Sequence, residues 1–152
     1  MKIRIIILII FVFSPLVAIA EPVCFDPLKS VSSNIDMADS KILTPFLLTF
    51  SNSKCHNNVE HSEWGNKLIF KVMEKRSTQF FKTFFQLHEN ERLAIVSEII
   101  SPLLDANWQL IVTSINESSL IETEKNRALQ LIKKAYKQDM DKQKVRVKEF
   151  DT

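Results

Sequence analysis

The chain contains two cysteines, Cys24 and Cys55, whose thiols can be oxidised to a disulfide. In an exported protein they would meet oxidising conditions, so we predict a single disulfide between them. It would restrict the unfolded chain by about 3–4 kcal/mol in the chain-entropy model. A metal site is the alternative, because His56 and His61 lie near Cys55. The spacing C-H-x4-H fits no established zinc pattern, however, and we predict no metal ion.

Signatures of catalysis are nearly absent from the sequence. The segment HENER, residues 88–92, begins like a zinc-protease motif but lacks the second histidine four positions on. Ser51 and Lys54 have S-x-x-K spacing, but the companion elements of that enzyme class are missing. No C-x-x-C pair occurs. We therefore predict that the protein is not an enzyme and requires no cofactor.

The segment TQFFKTFFQLH, residues 78–88, places four phenylalanines within six positions. On a helix they span an arc of about 140°, with polar residues opposite, and His88 projects onto the same arc. Such a face is typical of a core helix, but it could also contact a partner or, together with Trp108, line a cavity for an apolar ligand. The candidate core or binding face comprises Phe80, Phe81, Phe84, Phe85, His88 and Trp108.

His88 could act as a base with a shifted pKa beside these rings. A histidine at a helix end more often interacts with terminal backbone groups and the helix dipole. Because no acid or nucleophile can be placed beside it from sequence, we predict a core or capping role.

The N-terminus has the layout of an export signal. Two basic residues in the first four are followed by a short apolar run, and Ala18-Ile19-Ala20 fits a signal-peptidase site. We predict a signal peptide over residues 1–20, a mature chain of 152 − 20 = 132 residues, and a periplasmic or secreted protein. An uncleaved anchor is the alternative, although the apolar run is too short to span a bilayer.

Charge is unevenly distributed along the mature chain, which has 18 basic and 18 acidic residues once Lys2 and Arg4 are removed. Residues 125–152 contain nine Lys/Arg and four Asp/Glu, a net charge of 9 − 4 = +5. Such a segment usually forms a solvated helix face and tail. Export and overall neutrality argue against nucleic-acid binding.

Asn116-Glu-Ser118 is a glycosylation sequon, relevant only in a eukaryotic host.

The chain contains only one glycine, Gly65. Because tight hairpins and phosphate-binding loops need glycine, its scarcity disfavours both and indicates an all-α fold. We predict one helical domain over residues 21–138, with about five helices in an irregular bundle or stacked hairpins, and a frayed basic tail over residues 139–152. The lead to about Asp39 should be irregular or partly helical. The pattern from about residue 59 to residue 88 indicates either one helix whose apolar stripe spirals around it or a break near Ser77, and we favour the break.

Three motifs predict where other helices begin. Thr44-Pro45 and Ser101-Pro102 each combine a capping residue with a proline suited to the first helical position. Ser119-Leu-Ile-Glu122 has the form of a capping box, which predicts a final helix from Leu120 past Tyr136.

These features favour a small exported helical protein that binds another protein as an inhibitor, immunity factor or accessory subunit. A carrier or sensor of an apolar ligand in a phenylalanine-lined cavity is the alternative. The sequence does not identify the partner, the host or the oligomeric state.

Overall fold

The computed structural model describes residues 22–103 and 106–150, with side chains described for residues 23–103 and 106–144. This part of the chain is all-helical and contains no strands, which confirms the predicted fold class, with six α-helices where about five were expected. The predicted signal peptide lies outside it. The helices are α1 (Pro22–Ser33), α2 (Ser40–Leu48), α3 (Val59–Gln86), α4 (Glu89–Ile99), α5 (Trp108–Asn116) and α6 (Glu122–Phe150).

α1 occupies most of the N-terminal segment, up to about Asp39, that was predicted to be irregular or partly helical because of its prolines. Pro22 is its first residue, where a proline costs least because that N–H has no partner within the helix. Pro27 lies inside the helix and removes one backbone donor. Leu28 and Val31 are fully buried, so tertiary packing compensates for the weak local preference.

α2 begins at Ser40 because Asp39 is its N-cap. The Asp39 carboxylate accepts hydrogen bonds from the backbone N–H groups of Lys41, at 2.9 Å, and Ile42, at 3.2 Å. Pro45 therefore lies inside the helix, and the prediction that Thr44 and Pro45 start a helix is wrong.

α3 is a long helix that is kinked at Arg76, whose φ of −137° and ψ of 39° are not helical. This confirms the predicted break near Ser77. The Ser77 hydroxyl donates to the backbone carbonyl oxygen of Ser114 at 2.7 Å, and the Ser114 hydroxyl donates to Ser77 Oγ at 3.0 Å. The kink is thus the point at which α3 is hydrogen-bonded to α5.

The last three helices follow short connections. α5 begins at Trp108, where the Asn107 side chain accepts from the backbone N–H of Leu110 at 3.0 Å, so a helix does not start at Pro102 as predicted. α6 begins at Glu122 and continues to Phe150; the tail boundary at residue 139 stays a prediction. Within the described residues, none of the helices combines the length and the apolarity needed to cross a bilayer.

All six helices contribute to one main apolar core. Fully buried representatives, one from each helix in chain order, are Leu28, Phe46, Phe80, Ile95, Ile111 and Ile132. Asn66 is a buried polar residue at the edge of this core, and its amide nitrogen donates to the Glu98 carboxylate at 2.9 Å. Its amide oxygen accepts from the Leu103 backbone N–H at 3.0 Å. Asn66 thereby links α3 to the end of α4 and the following connection.

Candidate functional site

The predicted disulfide between Cys24 and Cys55 is present. It connects the first turn of α1 to the segment before α3, across a sequence separation of 31 residues. Both cysteines are buried with Phe25, and Trp64 packs against this small cluster. The bond is compatible with an exported protein.

His61 lies beside this cluster and is almost completely buried. Its ring contacts those of Phe25 and Phe50, with centroid distances of 6.3 and 5.6 Å. Burial lowers the pKa of His61, and the neighbouring His56 lowers it further. Among the described residues, no group hydrogen-bonds the His61 Nε2 atom. The native protein therefore favours the neutral imidazole.

His61 also lines a cleft of about 300 Å³, whose other residues include His56, Ser97 and Glu98. The His56 Nε2 atom lies 2.7 Å from the backbone oxygen of Phe50. Within the described residues, no group of three or more histidine, cysteine or acidic side chains is arranged to hold a metal ion.

The four clustered phenylalanines form one contiguous group of rings. Phe80 and Phe81 have centroids 5.1 Å apart in an edge-to-face arrangement, and Phe84 and Phe85 lie 5.4 Å apart. Phe80, Phe81 and Phe84 are buried. Phe85 is half-buried, with the Arg127 guanidinium 4.4 Å above its ring centroid. The face that the spacing predicts is therefore turned into the core.

His88 does not lie on this face. α3 ends at Gln86, and His88 is the N-cap of α4 with an exposed side chain. Its backbone N–H donates to the Glu91 carboxylate at 2.8 Å. The predicted proximity to the rings assumed that the helix continued through residue 88.

Trp108 also lies apart from the four rings, at the start of α5. It contacts Phe70 edge-to-face at 5.6 Å and Tyr136 at 6.1 Å, measured between ring centroids. Its indole N–H donates to the Asp139 carboxylate at 3.0 Å. Trp108 therefore joins α3, α5 and α6 and belongs to a different part of the surface.

A groove of about 410 Å³ runs between α5 and α6, with Trp108 at one end. Its apolar side chains follow helical spacing, at i and i+4 on α5 and at i, i+3 and i+7 on α6. This is the spacing of a seam against which another helix can pack. The residues lining the groove are Trp108, Gln109, Val112, Leu129, Ile132, Lys133 and Tyr136.

The groove has an exposed rim and a buried floor. Ile132 is fully buried, and Val112 and Leu129 are half-buried. Tyr136, on α6 at the rim, has 46% of its surface exposed. A solvent-accessible apolar strip of this kind is a common feature of protein interaction sites.

The charges beside the groove have a single sign over most of its length. α5 contains no charged residue. On α6, the segment from Lys125 to Gln138 contains five basic and no acidic residues. Asp139 follows directly, and its carboxylate accepts the hydrogen bond from Trp108. The groove is therefore apolar inside and positively charged on its α6 side.

A second cleft, of about 420 Å³, lies along the solvent side of α3 and has mixed charge. Lys67, Lys71 and Glu74 line it together with Trp64. Burial raises the pKa of Glu74, while a hydrogen bond from the Asn107 backbone N–H and the charge of Lys71 act in the opposite direction. Both signs of charge are present, so the cleft shows no preference for an ionic ligand.

The sequence identifies Trp108 as a candidate residue but does not pair it with Leu129 and Tyr136 of α6. The available signal was an uncharged α5 followed by an acid-free stretch of α6, but sequence spacing alone does not show that these two helices are neighbours. Comparisons of the chain with protein-family models, curated proteins and solved structures find no match.

Proposed function

We propose that this protein is exported and acts, without catalysis, by binding another protein in the groove between α5 and α6. The observation that carries the proposal is the partly exposed apolar seam formed by Trp108, Val112, Leu129 and Tyr136. Removing apolar surface from water is worth about 25 cal/mol per Å², so covering this seam would contribute favourably to association.

The packing of the four phenylalanines supports this role over that of a carrier for an apolar ligand. In a carrier their rings would line a ligand cavity. Phe80 and Phe81 are instead fully buried against each other and Phe84. Their contribution is to the stability of the core, while the apolar surface of the groove remains available.

Export is supported by the predicted signal peptide over residues 1–20 and by the disulfide. An exported protein that binds a partner would meet it in the cell envelope or the surrounding fluid. These are the sources from which the partner should be isolated.

The test begins with affinity purification of partners from the host's own envelope or culture fluid, using the purified oxidised protein, and their identification by mass spectrometry. The Kd of the recovered partner is then compared for the wild type, Val112→Glu in the groove and Val59→Glu at the start of α3. Val59 is 72% exposed, so the control introduces the same side chain outside the groove.

We expect Val112→Glu to weaken binding about tenfold or more, because it places a carboxylate in an apolar contact, and Val59→Glu to leave Kd unchanged. Tyr136→Ser serves as a second groove variant in case Val112→Glu unfolds, which circular dichroism will show. Unchanged affinity in folded groove variants would refute the proposal.

A further inference from the structure

We propose that the occupant of the α5–α6 groove is an acidic amphipathic α-helix of the partner protein. This inference rests on the proposed function and specifies the chemistry of the partner. Two properties of the groove carry it: the spacing of its apolar residues and the sign of the charges beside it.

The apolar spacing fits a helix better than other partner shapes. Trp108 and Val112 are one turn apart on α5, and Leu129, Ile132 and Tyr136 span two turns on α6. A third helix lying between these two rows would insert apolar residues at i, i+3 or i+4, and i+7. At 1.5 Å per residue, the nine residues of α5 extend over about 13 Å, which matches two to three turns of such a helix.

The recessed floor of the groove argues for a helix and against a membrane surface. Ile132 is fully buried at the floor, while Lys133 lines the wall and Tyr136 stands half-exposed at the rim. A helix can project side chains into such a depression, whereas a bilayer presents a broad surface. Amphipathic helices that bind membranes instead expose their apolar residues along one outer face.

The charge beside the groove selects an acidic partner. Lys133 lines the groove and Lys137 follows one turn later on α6, and both are exposed. α5 contributes no opposing charge, and the carboxylate of Asp139, two residues after Lys137, is hydrogen-bonded to Trp108. Carboxylates along one edge of the bound helix would face these lysines. Exposed pairs of this kind chiefly affect association rate and specificity, and salt weakens them.

The experiment uses two synthetic 18-residue helical peptides that share one apolar face and differ only in carrying glutamates or lysines beside it. Binding to the isotope-labelled oxidised protein is followed by NMR through the indole N–H resonance of Trp108, at about 20 mM and about 500 mM salt. The charge variant combines Lys133→Glu with Lys137→Glu. The matched control combines Lys29→Glu with Lys41→Glu, two exposed positions on α1 and α2.

We expect the glutamate peptide to bind the wild type at least about tenfold more tightly than the lysine peptide, with a smaller ratio at high salt. The charge variant should reverse this preference and the control should retain it. The largest chemical-shift changes should occur in Trp108 and the residues around it.

Equal affinity for the two peptides, or an unchanged preference in the charge variant, would refute the acidic helix while leaving the groove as a binding site. Absence of binding by either peptide would also count against the inference. Sedimentation of the wild type as a dimer that Val112→Glu dissociates would identify a second copy of the chain as the occupant instead. Binding of the protein to phosphatidylglycerol vesicles that abolishes the peptide-induced chemical-shift changes of Trp108 would identify a membrane surface as the occupant of the groove. The proposed function is tested separately. It fails only if the native partner binds the folded Val112→Glu variant as tightly as the wild type.

Discussion

The ring of Phe50 fills the space in which a side chain at position 65 would begin. A Cβ atom built on Gly65 would lie 2.8 Å from Phe50 Cζ and 2.9 Å from Phe50 Cε1, closer than real Cβ atoms approach their neighbours. Gly65 is helical and has no positive φ. The only glycine of the chain is therefore required by close packing between α3 and the segment after α2.

Gly65→Ala should destabilise the protein by up to about 2 kcal/mol. Alanine would gain up to about 1 kcal/mol of helix propensity, but overpacking a buried contact costs about 1–3 kcal/mol. Phe50 is also packed against Phe46 and His61, so its ring has little freedom to move. Urea unfolding would measure the change, with Glu63→Ala as an exposed control on the same helix. A stabilised Gly65→Ala variant would show that the ring can shift.

Loss of the disulfide should lower the free energy of unfolding by about 3–4 kcal/mol, because the bond closes a loop of intermediate length in the unfolded chain. The variant to compare with wild type is Cys24→Ala combined with Cys55→Ala, and both positions are buried. Adding a reductant should destabilise the wild type by a similar amount and leave the double variant unchanged. A difference below about 1 kcal/mol would mean that the loop is already constrained in the unfolded chain.

His61 should make the protein less stable at acidic pH. Its pKa is lowered in the folded protein, so the unfolded chain binds the proton more readily. The stability contributed by the neutral ring is complete above pH 6.5, the ordinary pKa, and is lost as pH falls from there towards the folded pKa. His61→Phe should flatten this part of the stability curve, as followed by urea unfolding between about pH 7.5 and pH 5. An unchanged slope in His61→Phe would contradict the assignment.

The sequence allowed the helical class, the disulfide and the break near Ser77 to be predicted, because each depends on a strong local or compositional signal. A chain with one glycine has few ways to form tight turns. Two cysteines allow only one intramolecular pairing. The shift from an apolar face to a polar stretch before the phenylalanines marks the kink at Arg76.

The predictions that failed depend on competition between local signals or on tertiary neighbours. Asp39 and Asn107 cap α2 and α5, although the nearby threonine and serine are each followed by a proline and resemble caps. His88 was projected onto the phenylalanine face, but the helix had already ended at Gln86. The contact of Trp108 with Tyr136 joins residues 28 positions apart, and residue spacing within either helix does not reveal it.

The roles of the clustered phenylalanines can be separated by comparing Phe81→Ala with Phe85→Ala. Phe81 is fully buried, so its truncation should cost about 3–5 kcal/mol, the range for an aromatic side chain removed from a packed core. Phe85 is half-buried under Arg127 and should cost clearly less. Urea unfolding would provide both values.

If the rings lined a ligand cavity instead, Phe81→Ala would change stability little and would alter the binding of an apolar probe such as a fatty acid. The packing of Phe81 against Phe80 and Phe84 favours the first outcome, because truncation would remove contacts on two sides of the ring.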